Sequence, residues 1–302
     1  MKTSTFFGLI LLILVIFAGI FILRSIYINQ QRDYIENQYQ LYQKYQPEQL
    51  DPCSSCPQDP EISNCINNRR TITTYYCDYS TNYQCRSLEE DGPCVQPNEV
   101  QEYITREYRW SFVEWDSLRE WDYTWNPEFS KAFYNYYKSK PRSSDYSVYV
   151  TSPYDDELIS SLVSKIKDSA EKDGFNKAET LGLVVSFIQS LPYTSDRVTT
   201  GFNEYPKYPI ETLVDNGGDC EDTSILAAAL IKELGYGVVL LKLVDHDHVA
   251  VGVLCKEDVG VYYKDKYGNN YCYLETTGEN WPLGVLPDEY AENSKAVIIH
   301  LT

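Results

Sequence analysis

Apolar residues recur along this chain with two periods, one of three to four residues and one of two. Ile159, Leu162 and Ile166 share a helical face, which predicts a helix over about residues 155–172 with Gly174 as its stop. A further helix over about 177–190 is apolar all round, so it belongs near the centre, and Pro192 ends it. Phe129, Phe133 and Tyr137 fall four apart behind Asn126-Pro127, predicting a helix with an Asn cap and Pro at its first position that runs to about Lys138. Tyr146 to Val150 reads as a short extended piece. Residues 103–125 alternate instead, with Tyr108, Trp110, Phe112, Trp121, Tyr123 and Trp125 on one side of two strands that turn near 116–120. Aromatic side chains at this density read as core or sheet cover before they read as a sugar-binding face.

The second half of the chain is organised around Gly217-Gly218-Asp219-Cys220-Glu221-Asp222-Thr223. Ile225, Leu226, Ala229, Leu230 and Leu234 then recur at helical spacing up to Gly235, placing Cys220 in the first turn of a buried helix. After it the period becomes two. Strands are expected near 238–244, 248–255, 259–264 and 270–276 as a meander with a turn at 267–270, and near 296–301 as the strand that closes the sheet. Helices first and an antiparallel sheet afterwards make an α+β domain.

Phe6 to Leu23 is an uncharged apolar run, long enough to cross a bilayer, and no small-residue cleavage site follows it. It predicts a membrane anchor over residues 1–24. Residues 25–50 read as a helical stalk with Ile28, Ile35 and Tyr42 seven apart, a spacing that allows a dimer through the stalk. Residues 51–98 hold Cys53, Cys56, Cys65, Cys77, Cys85 and Cys94, an even set read as a disulfide module, and residues 99–302 form the main domain. Cys255 and Cys272 fall on two predicted strands and are a further candidate pair. Disulfides place the body outside the cytoplasm and the N-terminus inside. Only one C-x-x-C occurs, and His246-x-His248 lacks a third convergent ligand, so neither a metal nor a cofactor is expected. With 44 acidic against 26 basic residues and a net charge of −18, nucleic acid is excluded as a partner.

A cysteine at a helix start gains some thiolate character from the helix terminus, and His248 opens the strand that follows this helix and its neighbouring strand. Asp219, Glu221 and Asp222 oppose that gain, so a thiolate at Cys220 needs an imidazolium partner. Asp219 can instead cap the helix. The stretch EYPKYPIETLVDNGGDCEDTSILAAALIKELGYGVVLLKLVDHDHVAVGV, with YCYLETTGENWPLG after it, resembles the transglutaminase-like superfamily, and most of all its bacterial and archaeal branch of transglutaminase-like cysteine peptidases. The resemblance covers about residues 180–285 and extends more loosely back to about 105. It implies a papain-like core, a nucleophile at Cys220, a base at His248 and a third member at Glu275, where much of the superfamily has Asp. It also implies a peptide or protein substrate and acyl transfer through a thioester, to water or to an amine. The backbone N–H of Cys220 is one expected oxyanion donor and Gln189 the second. A surface binding or scaffold module that keeps the fold is the rival reading.

Overall fold

The computed structural model describes residues 61–64, 66, 69–78, 84–94, 102–114, 119–152, 156–199, 201, 204–256, 260–290 and 295–301. The apolar run, the stalk, Cys53, Cys56 and Cys65 lie outside the described residues. Among the described residues no helix is long and apolar enough to cross a membrane. Strands β1 (Glu61–Ile62), β2 (Arg69–Asp78) and β3 (Gln84–Pro93) form a small antiparallel sheet, with Cys77 and Cys85 opposite each other in register. Cys85 and Cys94 are both disulfide-bonded.

The main body begins with β4 (Tyr103–Thr105) and the hairpin β5 (Tyr108–Glu114) and β6 (Arg119–Trp125), as the alternation predicts. The expected helix over 127–138 is shorter. Glu128–Ser130 forms strand β7 and pairs with β4, so the helix α1 spans Lys131–Ser139, capped by Ser130, whose hydroxyl accepts from Phe133 N–H. The extended piece expected at 146–150 is a helical turn, α2 (Ser147–Val150), closed by Thr151 N–H on Ser147 O at 3.1 Å. Helices α3 (Asp156–Asp173) and α4 (Lys177–Gln189) stand where the periodicity puts them, α4 beginning at an Asn176–Glu179 capping box. The aromatic hairpin covers α4. Trp110 meets Phe187 edge-on at 5.0 Å, and a Cβ on Gly182 would lie 2.9 Å from the Phe112 ring, so the helix is bare where the hairpin crosses it. That settles its aromatic side chains as core cover.

Two short helices that periodicity did not reveal follow, α5 (Asp196–Thr199) and α6 (Pro209–Asp215), then α7 (Cys220–Glu233). The sheet holds β8 (Val238–Leu243), β9 (His248–Cys255), β10 (Tyr262–Lys264), β11 (Asn270–Leu274) and β12 (Ala296–His300) in the order β10-β11-β9-β8-β12, every pair antiparallel. It is therefore no simple meander. β9 skips β10 and pairs with β11, and this pairing lets Cys255 and Cys272 bond, with Cα atoms 5.6 Å apart. Both faces of β8 and β9 are covered, which is why these strands read as nearly continuous apolar runs. Val249, Val251 and Val253 face α7 and the main core, whereas Ala250, with Tyr271 and Tyr273 of β11, faces an outer cluster that includes Tyr263, Leu286 and Tyr290.

Candidate active site

α7 starts where the two glycines end. Gly217 has φ +134°, and a Cβ there would fall 2.2 Å from Pro192 O. A Cβ on Gly218 would fall 2.3 Å from Asp222 Cβ. Bare backbone lets residues 192–194 lie alongside, in a parallel bridge between Tyr193 and Gly218 with Thr194 N–H on Gly218 O at 2.9 Å. Asp222, wholly buried, accepts from both the backbone N–H and the ammonium of Lys207, each at 2.7 Å. This pair ties the loop before α6 to the first turn of α7. Asp219 occupies the cap position with its carboxylate beside Glu221 and the Asp222 N–H, though without a close side-chain cap hydrogen bond, and its Oδ2 accepts from Asp196 N–H at 3.3 Å.

A cleft of about 350 Å³ opens over this helix start, lined by Cys220, Asp219 and Glu221, by Tyr146, Tyr193, Asp196 and Glu204, and by Asp247 and Val249 on either side of His248. Cys220 is the free cysteine among the described residues. Its thiol donates to Glu221 Oε2 at 3.1 Å, and the backbone N–H of Val249 faces its sulfur and acts to lower the thiol pKa. Burial, then the negative charge of Glu221, push the thiol pKa up. No hydrogen bond joins Cys220 to the His248 imidazole, although the sulfur lies against the peptide that links His248 to Val249.

His248 opens β9, with its Nε2 3.0 Å from Glu275 Oε2. Glu275 follows β11 and is 1% exposed. Tyr273 O–H donates to the same Oε2, while Oε1 accepts from the N–H groups of Thr276 and Thr277 and from the Thr277 hydroxyl. Burial acts to raise the Glu275 pKa, but the hydrogen bond and charge of His248, with the bonds from Tyr273 and Thr277, outweigh it and hold the pKa down at about 2. The extra methylene of Glu over Asp is thus accommodated, with the carboxylate on the histidine.

Sequence reasoning missed the polar knot that aligns these segments. The Thr276 hydroxyl meets those of Thr223 at 2.9 Å and Ser224 at 3.0 Å, and Ser224 also donates to Val249 O at 3.0 Å. The first turn of α7, the start of β9 and the end of β11 are joined there. Hydroxyls just after the Cys and Glu are the available sequence signal, but only folding pairs them.

Gln189 has a different occupation from the one expected. Its amide donates to Glu275 O and to Trp281 O, both at 2.9 Å, so neither hydrogen is available to an oxyanion. Sequence reasoning took the acidic residues around the thiol as an obstacle to its ionisation, with Asp219 as a candidate helix cap, and did not group them with Asp196. Folding brings Asp196 to Asp219 and Glu221, with one donor atom from each within 4.8 Å of the others. Asp219 Oδ1 is buried with no hydrogen-bond partner among the described residues. Burial, and then Asp219, raise Asp196 to about 6 and Glu221 to about 8. A set of carboxylate oxygens suits a hard cation such as Ca²⁺.

No family profile and no curated protein sequence matches the chain. Among solved structures, the fold overlaps in part with LapG of Legionella pneumophila. That match has a TM-score of 0.27 and 19% identity over 45% of this chain and 81% of LapG. The EGTA-treated form gives a TM-score of 0.27 and 19% identity over 45% and 79%, and the calcium-bound form 0.26 and 17% over 45% and 81%. At this TM-score and identity the match carries no argument about fold or function, and the site's own geometry carries the functional reading.

Proposed function

We propose that this protein is a cysteine-dependent amide hydrolase of transglutaminase-like architecture, with Cys220 as nucleophile, His248 as base and Glu275 as the group that orients the base. The observation that carries the reading is the His248–Glu275 contact. A buried, ionised carboxylate holds Nε2 of an imidazole whose strand passes the helix-start thiol. With Nε2 engaged, Nδ1 is the nitrogen left for Cys220. The imidazole takes the thiol proton, sulfur bonds to the carbonyl carbon, and the amine leaves with that proton as the C–N bond breaks. Water then attacks the thioester, giving its proton back through His248, and the thiolate is released. The Cys220 N–H is the proposed oxyanion donor. An amine in place of water would make the same chemistry a crosslinking reaction. Hydrolysis is the reading offered, because the cleft is open and polar.

The contact between the thiol and Glu221 holds the proton on sulfur. We therefore add a cation at Asp196, Asp219 and Glu221 to the reading, favoured by the buried, unsatisfied Asp219 Oδ1. A cation there would neutralise the charges that disfavour the thiolate and draw the Glu221 carboxylate away from it. The chain is further proposed to be anchored by residues 6–23 with its domain outside the cytoplasm, a reading that the Cys255–Cys272 disulfide supports. Its proposed substrate is peptide or protein.

The test is alkylation of Cys220 in the full chain against pH, with Ca²⁺ or with EDTA. The expected result is a reactive thiol near neutral pH in Ca²⁺, slowed on the order of a hundredfold by His248→Ala and by EDTA. Reactivity indifferent to His248 would sink the hydrolase reading in favour of a binding module that retains the fold. Reactivity that needs His248 but ignores EDTA would remove only the cation.

A further inference from the structure

We propose that Tyr290 is a positioning residue for His248, a role that rests on the hydrolase reading for its catalytic meaning but not for its geometry. Tyr290 ends a 3-10 turn, Asp288–Tyr290, held by its N–H on Pro287 O at 2.9 Å. Its ring stacks on the His248 imidazole with centroids 4.6 Å apart and planes 23° from parallel. The His246 ring approaches it too, at 5.2 Å and 59°.

The stack supplies what the hydrogen bond to Glu275 cannot. A hydrogen bond at Nε2 fixes one atom of the imidazole, whereas a ring stacked on its face fixes the plane. The plane decides where Nδ1 points, and so whether it meets a thiol held at the Val249 peptide. The same ring covers the imidazole, which is 5% exposed, and keeps water from the His248–Glu275 contact. An imidazolium formed during proton transfer would meet the negative face of the tyrosine ring, a favourable cation–π arrangement. The charged and titratable groups around this stack are Glu275 and Tyr273 from the β11 side, Cys220 from α7, His246 from the turn before β9, and Glu289 beside Tyr290.

Aromatic stacking on His248 was not legible in the sequence. Tyr290 lies forty-two positions from His248, among 28 tyrosines. The turn that carries it is too short for periodicity to register.

Two readouts on the full chain test the role. Deuterium exchange at the imidazole C2–H, followed by mass spectrometry, reports solvent access to each of the three histidines, with His300 as internal reference. Cys220 alkylation at pH 7 in Ca²⁺ reports the consequence. Tyr290→Ala is expected to speed exchange at His248 about tenfold and to slow alkylation about tenfold, with Tyr290→Phe close to wild type on both because the ring face is kept. Tyr290→Leu retains bulk without a π face and separates stacking from simple filling of space. It should behave as Tyr290→Ala does in alkylation. The proposal is overturned if exchange at His248 is the same in Tyr290→Ala and wild type, or if Tyr290→Phe is as impaired as Tyr290→Ala. Alkylation that ignores His248→Ala, with His248 exchange still governed by Tyr290, would overturn the hydrolase reading and the catalytic consequence, leaving the packing role alone.

Discussion

Glu275 is a buried carboxylate with all of its acceptor capacity in use. His248 and Tyr273 take one oxygen, and Thr276 and Thr277 take the other. Its pKa is held at about 2, against an unfolded value of about 4.3. A carboxylate with a lowered folded pKa contributes stability above its unfolded pKa and loses that contribution as pH falls toward its folded one. Glu275→Gln should therefore be less stable than wild type at pH 7 by on the order of 3 kcal/mol, with the gap closing between about pH 4.5 and pH 2. Urea unfolding at pH 7, 5 and 3 would measure it. A gap that persists unchanged at pH 3 would mean that steric disturbance, not lost charge, sets the difference. Hydrolysis by the variant, if the proposed function holds, should fall by roughly 10²–10⁴-fold, since a neutral amide neither orients nor stabilises the imidazolium in the same way.

The elements around the site show where periodicity suffices. α3, α4 and α7 bury broad apolar faces, so their sequences repeat every three to four residues and their ends carry stop signals. α6 has the same length as a strand and only Pro209 to announce it. Glu128–Ser130 follows an Asn-Pro pair that suits a helix start, yet β4 claims those residues as a strand. The Gly217-Gly218 pair was legible as a lead into the helix, but its reason lies in distant chain: Pro192 for one glycine, Asp222 with its Lys207 for the other. Gly218→Ala should cost about 2 kcal/mol through overpacking against a side chain that its buried ion pair holds in place. Thermal melting should show a fall in Tm of roughly 4–8 °C. An unchanged Tm would show that Asp222 can move without losing Lys207.

Across the whole molecule, negative charge is abundant, and part of it is folded inward. Asp196, raised to about 6, and Glu221, raised to about 8, keep protons in the folded state that the unfolded chain releases near pH 4. Between those values the folded protein binds more protons, so its stability falls as pH rises, opposite in sign to the contribution of Glu275. In EDTA, the Tm is expected to be highest near pH 5 and to decline toward pH 8. Ca²⁺ should reverse that decline, since it binds the ionised carboxylates of the folded state. A scan of Tm against pH with and without Ca²⁺ checks both signs, and identical curves would exclude a cation at this cluster.

By itself the sequence determined the mixed helix-and-sheet character, the long helices, most strands of the main sheet, the Cys255–Cys272 pairing as a candidate, and the residue types from which the site is built. Those follow from local periodicity and from chemistry that a side chain carries wherever it lies. Only the tertiary structure decided what those side chains do to one another. It engaged Gln189 with backbone carbonyls, turned the Cys220 thiol as a hydrogen-bond donor to Glu221, and brought Asp196 to Asp219 and Glu221 and Tyr290 to His248. Each of these contacts depends on the depth of burial and on partners far away in the chain, and neither leaves a repeating trace in the order of residues.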